Sequence, residues 1–376
     1  MQRSVITTYF FVSYLIGCSL ALTVNAQIPT PKPVEEREII RVDTELIDVP
    51  ISVTDRSGKP VLGLKLSNFR LLEDGKPQKI VDFSATTAPF EVALLLDTSG
   101  SARGEIDLIK RAAQAFVDSL RPGDKVAIIA FGPSNTSKTG TESVPVLIAK
   151  LTDDRNLLRS ALQRITVSNG TPYYDGLIKA GEGIFPARTS DNGNTRRALV
   201  ALTDGVDSTS VSEFAEANEI LGTEGVVSYF IRVDTREFFE SELLGDCQSA
   251  TRFSLAQIRR YYRTVGSRSN EKATNFCQLG DFERLAVSKS LYELADAQMR
   301  SLAQTSGGKV FPLGDLSEAR NAFRSVAAEI GTNYSLGYYS SNENKDGSFR
   351  KITVELKGLP EGSKVRAREG YTAKQN

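Results

Sequence analysis

Three short phrases of this chain carry residue types able to do chemistry. Leu95-Leu96-Asp97-Thr98-Ser99-Gly100-Ser101 follows the apolar run Val92-Ala93-Leu94, and it sets hydroxyls two and four residues after a carboxylate. Leu202-Thr203-Asp204-Gly205 closes a second apolar run that begins at Ala198. Asn169-Gly170-Thr171-Pro172 puts another hydroxyl just ahead of a helical stretch. Carboxylate and hydroxyl oxygens are the donors that hard divalent cations prefer. Buried parallel strands read as continuous apolar runs, and open α/β sheets bind ligands at the carboxyl ends of their strands. Asp97, Ser99, Ser101, Thr171 and Asp204 are therefore five oxygen donors expected on one edge, from three loops. The local alternative is that Asp97, Ser99 and Thr171 only cap helices while Asp204 holds a turn. Asp207 reads as a turn residue.

The rest of the composition narrows the chemistry. The chain of 376 residues has no His, which removes Ser-His-Asp catalysis and His-ligated zinc. With only three Cys, a thiolate cluster is not expected. No Gly-rich phosphate loop occurs, and no paired carboxylates occur outside the set above, so a metal-dependent hydrolase is the least favoured reading and no enzyme is expected. Lys plus Arg equals Asp plus Glu at 46 each, and nothing in that balance argues for nucleic acid.

The elements that must position these residues follow from periodicity. Residues 88–331 alternate apolar runs with amphipathic helices, as in Ile106, Ile109, Ala113, Phe116, Val117 and Leu120. Helices are expected over Leu157–Ile165, Tyr174–Ile184, Phe214–Leu221, Leu291–Leu302 and Leu316–Ile330, the last opened by an Asp315/Glu318 capping box. Strands are expected at Val126–Phe131, Val226–Val233 and Val310-Phe311. That alternation predicts an α/β fold, Rossmann-like and doubly wound. Residues 41–87 and 332–376 instead alternate with period two, as in Ile47, Val49, Ile51 and Val53 or Tyr334, Leu336 and Tyr338. Pro50 suggests an open strand edge, and Asp74-Gly75 a hairpin turn. These two β segments are expected to pair into one small antiparallel, sandwich-like domain in which the α/β domain is inserted.

Residues 1–26 read as a signal peptide, with Arg3, an apolar run and Val24-Asn25-Ala26 before a cleavage point. Leu15-Ile16-Gly17-Cys18 offers the alternative of a lipoprotein lipidated on Cys18, and an uncleaved anchor is a third reading. Residues 27–40 have linker composition, with Pro29, Pro31 and Pro33. No later segment is long and apolar enough to span a bilayer. The expected location is outside the cytoplasm: periplasm, cell surface or medium. Cys247 and Cys277 then form an even pair expected to be a disulfide. They lie in an insertion at about 237–288, which leaves a strand's carboxyl end and so joins the edge of the oxygen donors. It is rich in Arg252, Arg259, Arg260, Arg263, Arg268 and Lys272. It reads either as a lip that contributes to partner choice or as a solvated face.

Asp-x-Ser-x-Ser at 97–101, Thr171 in Gly-Thr-Pro and Asp204 in Thr-Asp-Gly resemble, in order and spacing, the metal-ion-dependent adhesion site (MIDAS) of von Willebrand factor type A and integrin I domains. The flanks resemble a bacterial group of exported relatives in Val53-Thr54-Asp55, Glu73-Asp74-Gly75-Lys76 and Gly370-Tyr371. The resemblance implies one Mg2+, with Mn2+ or Ca2+ as alternatives. It implies direct ligation by the Ser hydroxyls, mostly water-mediated ligation by Asp97 and Asp204, and a Thr171 that joins in some states. Neutral direct ligands leave the ion electrophilic toward a carboxylate from an Asp or Glu of a protein partner. A scaffold with an inert site is the alternative function.

Overall fold

The computed structural model describes residues 46–84, 89–100, 105–134, 142–186, 196–247, 252–265, 275–373 and 375. The expected signal peptide, linker and Cys18, together with Ser101, Arg268 and Lys272, lie outside the described residues.

Among the described residues the first strands are β1 (Leu46–Thr54), β2 (Phe69–Glu73), β3 (Lys76–Pro77) and β4 (Ile80–Ser84). The α/β region follows with β5 (Phe90–Leu96), α1 (Ile106–Ser119), β6 (Lys125–Pro133), β7 (Ser143–Thr152), α2 (Arg155–Gln163) and α3 (Tyr173–Gly181). It continues through β8 (Arg196–Thr203), α4 (Phe214–Thr223), β9 (Val227–Val233), α5 (Arg236–Leu243), α6 (Leu255–Thr264), α7 (Asp281–Ser306), β10 (Lys309–Leu313) and α8 (Ala319–Ile330). The last strands are β11 (Tyr334–Tyr339), β12 (Phe349–Leu356), β13 (Lys364–Ala367) and β14 (Gly370–Thr372).

The central sheet has the order β10-β9-β8-β5-β6-β7. All its pairings are parallel except β6 with β7. Every residue of β5 and β8 is buried. Val92, Leu94 and Leu96 pack with α1, α2 and α8 on one face. Ala93 and Leu95 pack with α3, α4 and α7 on the other. This is the doubly wound arrangement expected of two-sided apolar strands.

Two further four-stranded sheets, β13-β1-β11-β4 and β14-β12-β2-β3, enclose a separate core. Ile47, Val49, Ile51, Phe69, Leu71, Tyr334, Leu336, Ile352 and Val354 fill it. Strands from the two ends of the chain interleave, β1 with β11 and β2 with β12. Asp74 and Gly75 both take positive φ, 47° and 78°, as a two-residue hairpin turn between β2 and β3 requires.

Several details differ from the sequence reading. β1 is an interior strand, because β13 pairs with its second half from Ile51 onward; Pro50 stands just before that ladder begins. β7 lacks clean alternation and carries Pro145, which suits its place at the sheet edge. Asp315 accepts from the Ser317 amide and caps a single 3₁₀ turn, and α8 starts behind it without a side-chain cap. α7 starts at Asp281 rather than Leu291, so the insertion runs into it without a break.

A buried carboxylate ties the sandwich together. Glu73 accepts from the hydroxyls of Tyr338 (2.7 Å), Ser340 (2.5 Å) and Tyr371 (3.0 Å) and faces the Arg350 guanidinium at 3.5 Å. Arg350 also donates to the carbonyls of Asn342 and Asn344. The phrases Glu73-Asp74-Gly75 and Gly370-Tyr371, distant in sequence, thus meet in one network. Removing one member of a buried ion pair strands the other. Glu73→Ala is expected to lower stability by on the order of 3 kcal/mol, read as a lower urea midpoint. An unchanged midpoint would show that the network does not hold the two chain ends together.

Candidate metal centre

The site begins where the β5–β8 ladder ends. Leu96 pairs with Leu202, and the Asp97 amide donates to the Leu202 carbonyl at 2.9 Å. That puts Asp97 beside Thr203. The Thr203 hydroxyl donates to Asp97 Oδ2 at 2.7 Å and accepts from the Gly205 amide at 2.9 Å. Ser99 donates its amide to Asp97 Oδ1 at 3.0 Å, and its hydroxyl also bonds the carboxylate. Gly205 has φ 76°, and a Cβ there would lie 2.9 Å from the Met299 methyl, so this turn needs glycine.

The local alternative describes these residues only in part, since Ser99 stands directly before the 3₁₀ position Gly100. α1 starts at Ile106 behind Glu105, well beyond Asp97 and Ser99. Thr171 lies outside the cap of α3, which starts behind Pro172 with no side-chain cap bond. Asp204 does hold a turn, accepting from the Val206 amide at 2.9 Å, but its second oxygen accepts from the Thr235 hydroxyl at 2.5 Å. Thr235 in turn bonds the Tyr292 hydroxyl at 2.8 Å.

Three loops carry the donors, and backbone contacts join them. The Ser168 amide donates to the Thr98 carbonyl at 2.7 Å. Thr171 and Ser208 bond reciprocally: the Thr171 amide donates to Ser208 Oγ at 2.8 Å, and the Ser208 amide donates to the Thr171 carbonyl at 2.9 Å. Asp175 accepts from the amides of Val211 and Ser212, each at 3.0 Å. Asp207 accepts from the Tyr173 amide at 3.0 Å. Asp97, Ser99, Thr171 and Asp204 thereby share one edge. Asp97, Ser99 and Thr171 are nearly inaccessible, at 7%, 6% and 8% exposure, and Asp204 is half-buried.

Two acids in this corner disturb each other. Burial raises the Asp97 pKa, against bonds from Ser99 and Thr203 that lower it. Asp204 is pushed up to about 7, first by burial and then by the charge of Asp97. Among the described residues no group of three or more His, Cys, Asp or Glu assembles as a metal cluster, here or elsewhere, so the donors of this corner are two carboxylates and neutral hydroxyls.

Asp207 is more than the turn residue the sequence suggested. It is buried, and Arg260 of α6 reaches it at 3.1 Å while stacking 4.9 Å above the Tyr174 ring. Arg260 is therefore an internal tie of the insertion rather than part of a basic lip. Arg263 pairs with Glu213 at the surface, and Arg252 donates to the Cys247 carbonyl. Cys247 and Cys277 are joined, with Cα atoms 5.3 Å apart. The insertion has its own core of Leu243, Phe253, Ile258, Tyr262, Phe276 and Leu279, and Val206, two residues past Asp204, packs into it. The buried Arg284 binds the carbonyls of Leu243, Gly245 and Leu279. Thr203 and Thr235, and the contact between Asp207 and Arg260, escaped the sequence reading because the partners are remote in the chain.

The fold and the edge define a doubly wound domain with an oxygen-donor site at the carboxyl ends of its strands. Residues 92–206 match the family model of the von Willebrand factor type A domain, so this part of the chain is such a domain. Domains of this family are in general protein-interaction modules rather than enzymes. The matched stretch is narrower than residues 88–331 and includes all five donor positions. The chain is also similar to the solved structure of conserved hypothetical protein BatB from Bacteroides thetaiotaomicron, at 16% identity over 64% of this chain and 98% of that one, with a TM-score of 0.40. It is similar to a von Willebrand factor type A protein from Catenulispora acidiphila, at 12% identity over 89% and 75%, with a TM-score of 0.41. A third likeness is to proximal thread matrix protein 1 from the mussel byssus, at 15% identity over 70% and 49%, with a TM-score of 0.37. No curated protein matches the chain in sequence.

Two outcomes are expected. A carboxyl whose pKa is higher folded than unfolded favours the folded state while it holds its proton, and that contribution fades as pH rises through the folded value. In chelator, the Asp204 contribution is full below its ordinary value of 3.8 and is lost as pH rises through about 7. Melting temperatures over that window should fall in the native chain and stay flatter in Asp204→Asn; parallel curves would contradict the shift. Arg260→Ala strands a buried carboxylate, so a loss on the order of 3 kcal/mol is expected, with faster amide exchange in α6. Unchanged α6 protection would show that the tie is dispensable.

Proposed function

We propose that the chain is an exported protein-binding module whose von Willebrand factor type A domain holds one divalent cation, Mg2+ first, through Asp97, Ser99, Ser101, Thr171 and Asp204. The observation that carries this reading is the pair of carboxylates, the buried Asp97 and the half-buried Asp204, each raised in pKa and each oriented by hydroxyls, at one sheet edge. Two mutually repelling acids flanked by neutral oxygens fit a hard cation, whose charge offsets their desolvation. Neither a soft metal nor a thiolate site fits this donor set.

When bound, the ion supplies an electrophilic position for an Asp or Glu carboxylate of a protein partner. The chain's own residues set that position. Thr203 and Ser99 fix the Asp97 carboxylate, Thr235 and the Val206 amide fix Asp204, and the Ser208 clamp fixes Thr171. Such fixed support is what gives a metal site its affinity. Export is supported by the leader-like first 26 residues and by the disulfide, which persists in oxidising compartments. Among the described residues no helix is long and apolar enough to cross a membrane.

Asp97→Ala tests the reading. Asp97 stands just past the end of β5, beyond the apolar residues that fill the two cores, so the fold should survive while Mg2+ binding by isothermal titration disappears. Capture of envelope proteins on the immobilised native chain should require Mg2+ and be released by chelator. Equal Mg2+ affinity in the variant, or capture indifferent to chelator, would remove the proposal.

A further inference from the structure

Among the described residues, one fully buried hydroxyl beside this site has no hydrogen-bond partner. Tyr173, the first residue of α3, is 0% exposed. Its ring lies in the core on the α3 face of the sheet, with Ala93, Leu95, Leu199 and Ala201, and 5.8 Å from the Tyr174 ring. Side chains alternate along a strand. The next residues on that face after Leu95 and Ala201 are therefore Asp97 and Thr203, and the bond between those two side chains agrees with this. Its amide is held by Asp207 at 3.0 Å. Tyr173 thus sits on the sheet face from which the cation site rises.

Among the described residues no atom donates to or accepts from the Tyr173 hydroxyl. The neighbouring phenols are all satisfied: Tyr174 by Gln298 at 2.9 Å, Tyr292 by Thr235 at 2.8 Å and Tyr262 by Glu283 at 2.5 Å. Buried tyrosine hydroxyls ordinarily find a partner, and phenylalanine would fill the same space without an orphaned polar atom. The residue stands between Thr171, two positions before it, and Asp207, which holds its amide, and a phenol is a neutral donor at neutral pH.

We propose that the Tyr173 hydroxyl is an outer-sphere ligand of the cation site, donating its hydrogen bond to a water in the shell of the bound ion on the buried side. The inference rests on the cation reading given above. Mg2+ sheds its waters reluctantly, so a fixed donor behind the site has a water to hold. Outer-shell partners of this kind change metal affinity by about 10- to 100-fold. Tyr173 is a positioning residue, since it acts through the water.

The test compares the native chain with Tyr173→Phe, which keeps the ring and removes only the oxygen. Isothermal titration with MgCl2 should show affinity weakened about ten-fold in the variant. In chelator the variant should melt at the same temperature as the native chain or higher, because an unsatisfied buried hydroxyl has been removed. Equal Mg2+ affinities in the two proteins would overturn the inference. So would a lower melting temperature of the variant in chelator, which would reveal a protein partner for the hydroxyl. If the native chain itself binds no Mg2+, the cation reading falls, a result distinct from equal affinities.

Discussion

The register between β5 and β8 is the constraint on which the site depends. The two strands run parallel with Leu96 opposite Leu202, so the first residues past the ladder, Asp97 and Thr203, stand side by side on one face. A slip of one residue would turn Asp97 toward the α1 and α8 layer and part it from the Thr203 hydroxyl. What prevents the slip is burial on both faces. Val92, Leu94 and Leu96 are committed to one core and Ala93 and Leu95 to the other, and Val200 and Leu202 are separated from Leu199 and Ala201 in the same way. Two cores therefore place one carboxylate. A half-exposed sheet would have left its position far less determined.

The insertion extends this logic to Asp204. Thr235, just past β9, and Tyr292, inside α7, form a chain of hydroxyls that ends on the Asp204 carboxylate. Arg260 and Val206 fasten the insertion to the same β8–α4 loop from the other side. The insertion is a brace for the site. Its basic composition misleads, because Arg260 and Arg284 spend their charge on buried carboxylate and carbonyl oxygens. A buried arginine bonded to internal acceptors is a structural element, and exposed members such as Arg259 remain for surface roles.

The same distinction explains what could be read from sequence. The doubly wound sheet and its sandwich-like companion were legible because two-sided and one-sided burial write different periods into the chain. The run Val92–Leu96 and the alternation Ile47, Val49, Ile51, Val53 are examples. Asp97, Ser99 and Asp204 stood out because they follow such runs directly. β7 did not, since Pro145 and an unbroken apolar stretch fit neither period. The early start of α7 was equally hidden: its first turns face the insertion's core through Arg284, Val287 and Leu291, so no single apolar stripe runs along the helix. Thr235 with Asp204, and Arg260 with Asp207, are 31 and 53 residues apart. Contacts at that separation leave no local pattern.

The sandwich completes the arrangement by occupying the opposite end. Asn333, just before β11, bonds the Tyr229 hydroxyl near the start of β9, and its carbonyl accepts from Arg196 at the start of β8. Arg366 of β13 donates to the Gly307 carbonyl just before β10, and the Glu369 amide donates to Thr305. All four contacts lie at the amino ends of the parallel strands or in the turn that precedes them. The carboxyl ends, with Asp97 and Asp204, are left to the rim loops and the insertion. In a parallel sheet every strand presents its carboxyl end on the same edge, so anchoring at one edge and exposing the other requires no further device. Chain connectivity then does the rest: both ends of the α/β region leave from the anchored side, into β4 and β11, and a domain mounted in this way presents its donor edge outward from its support.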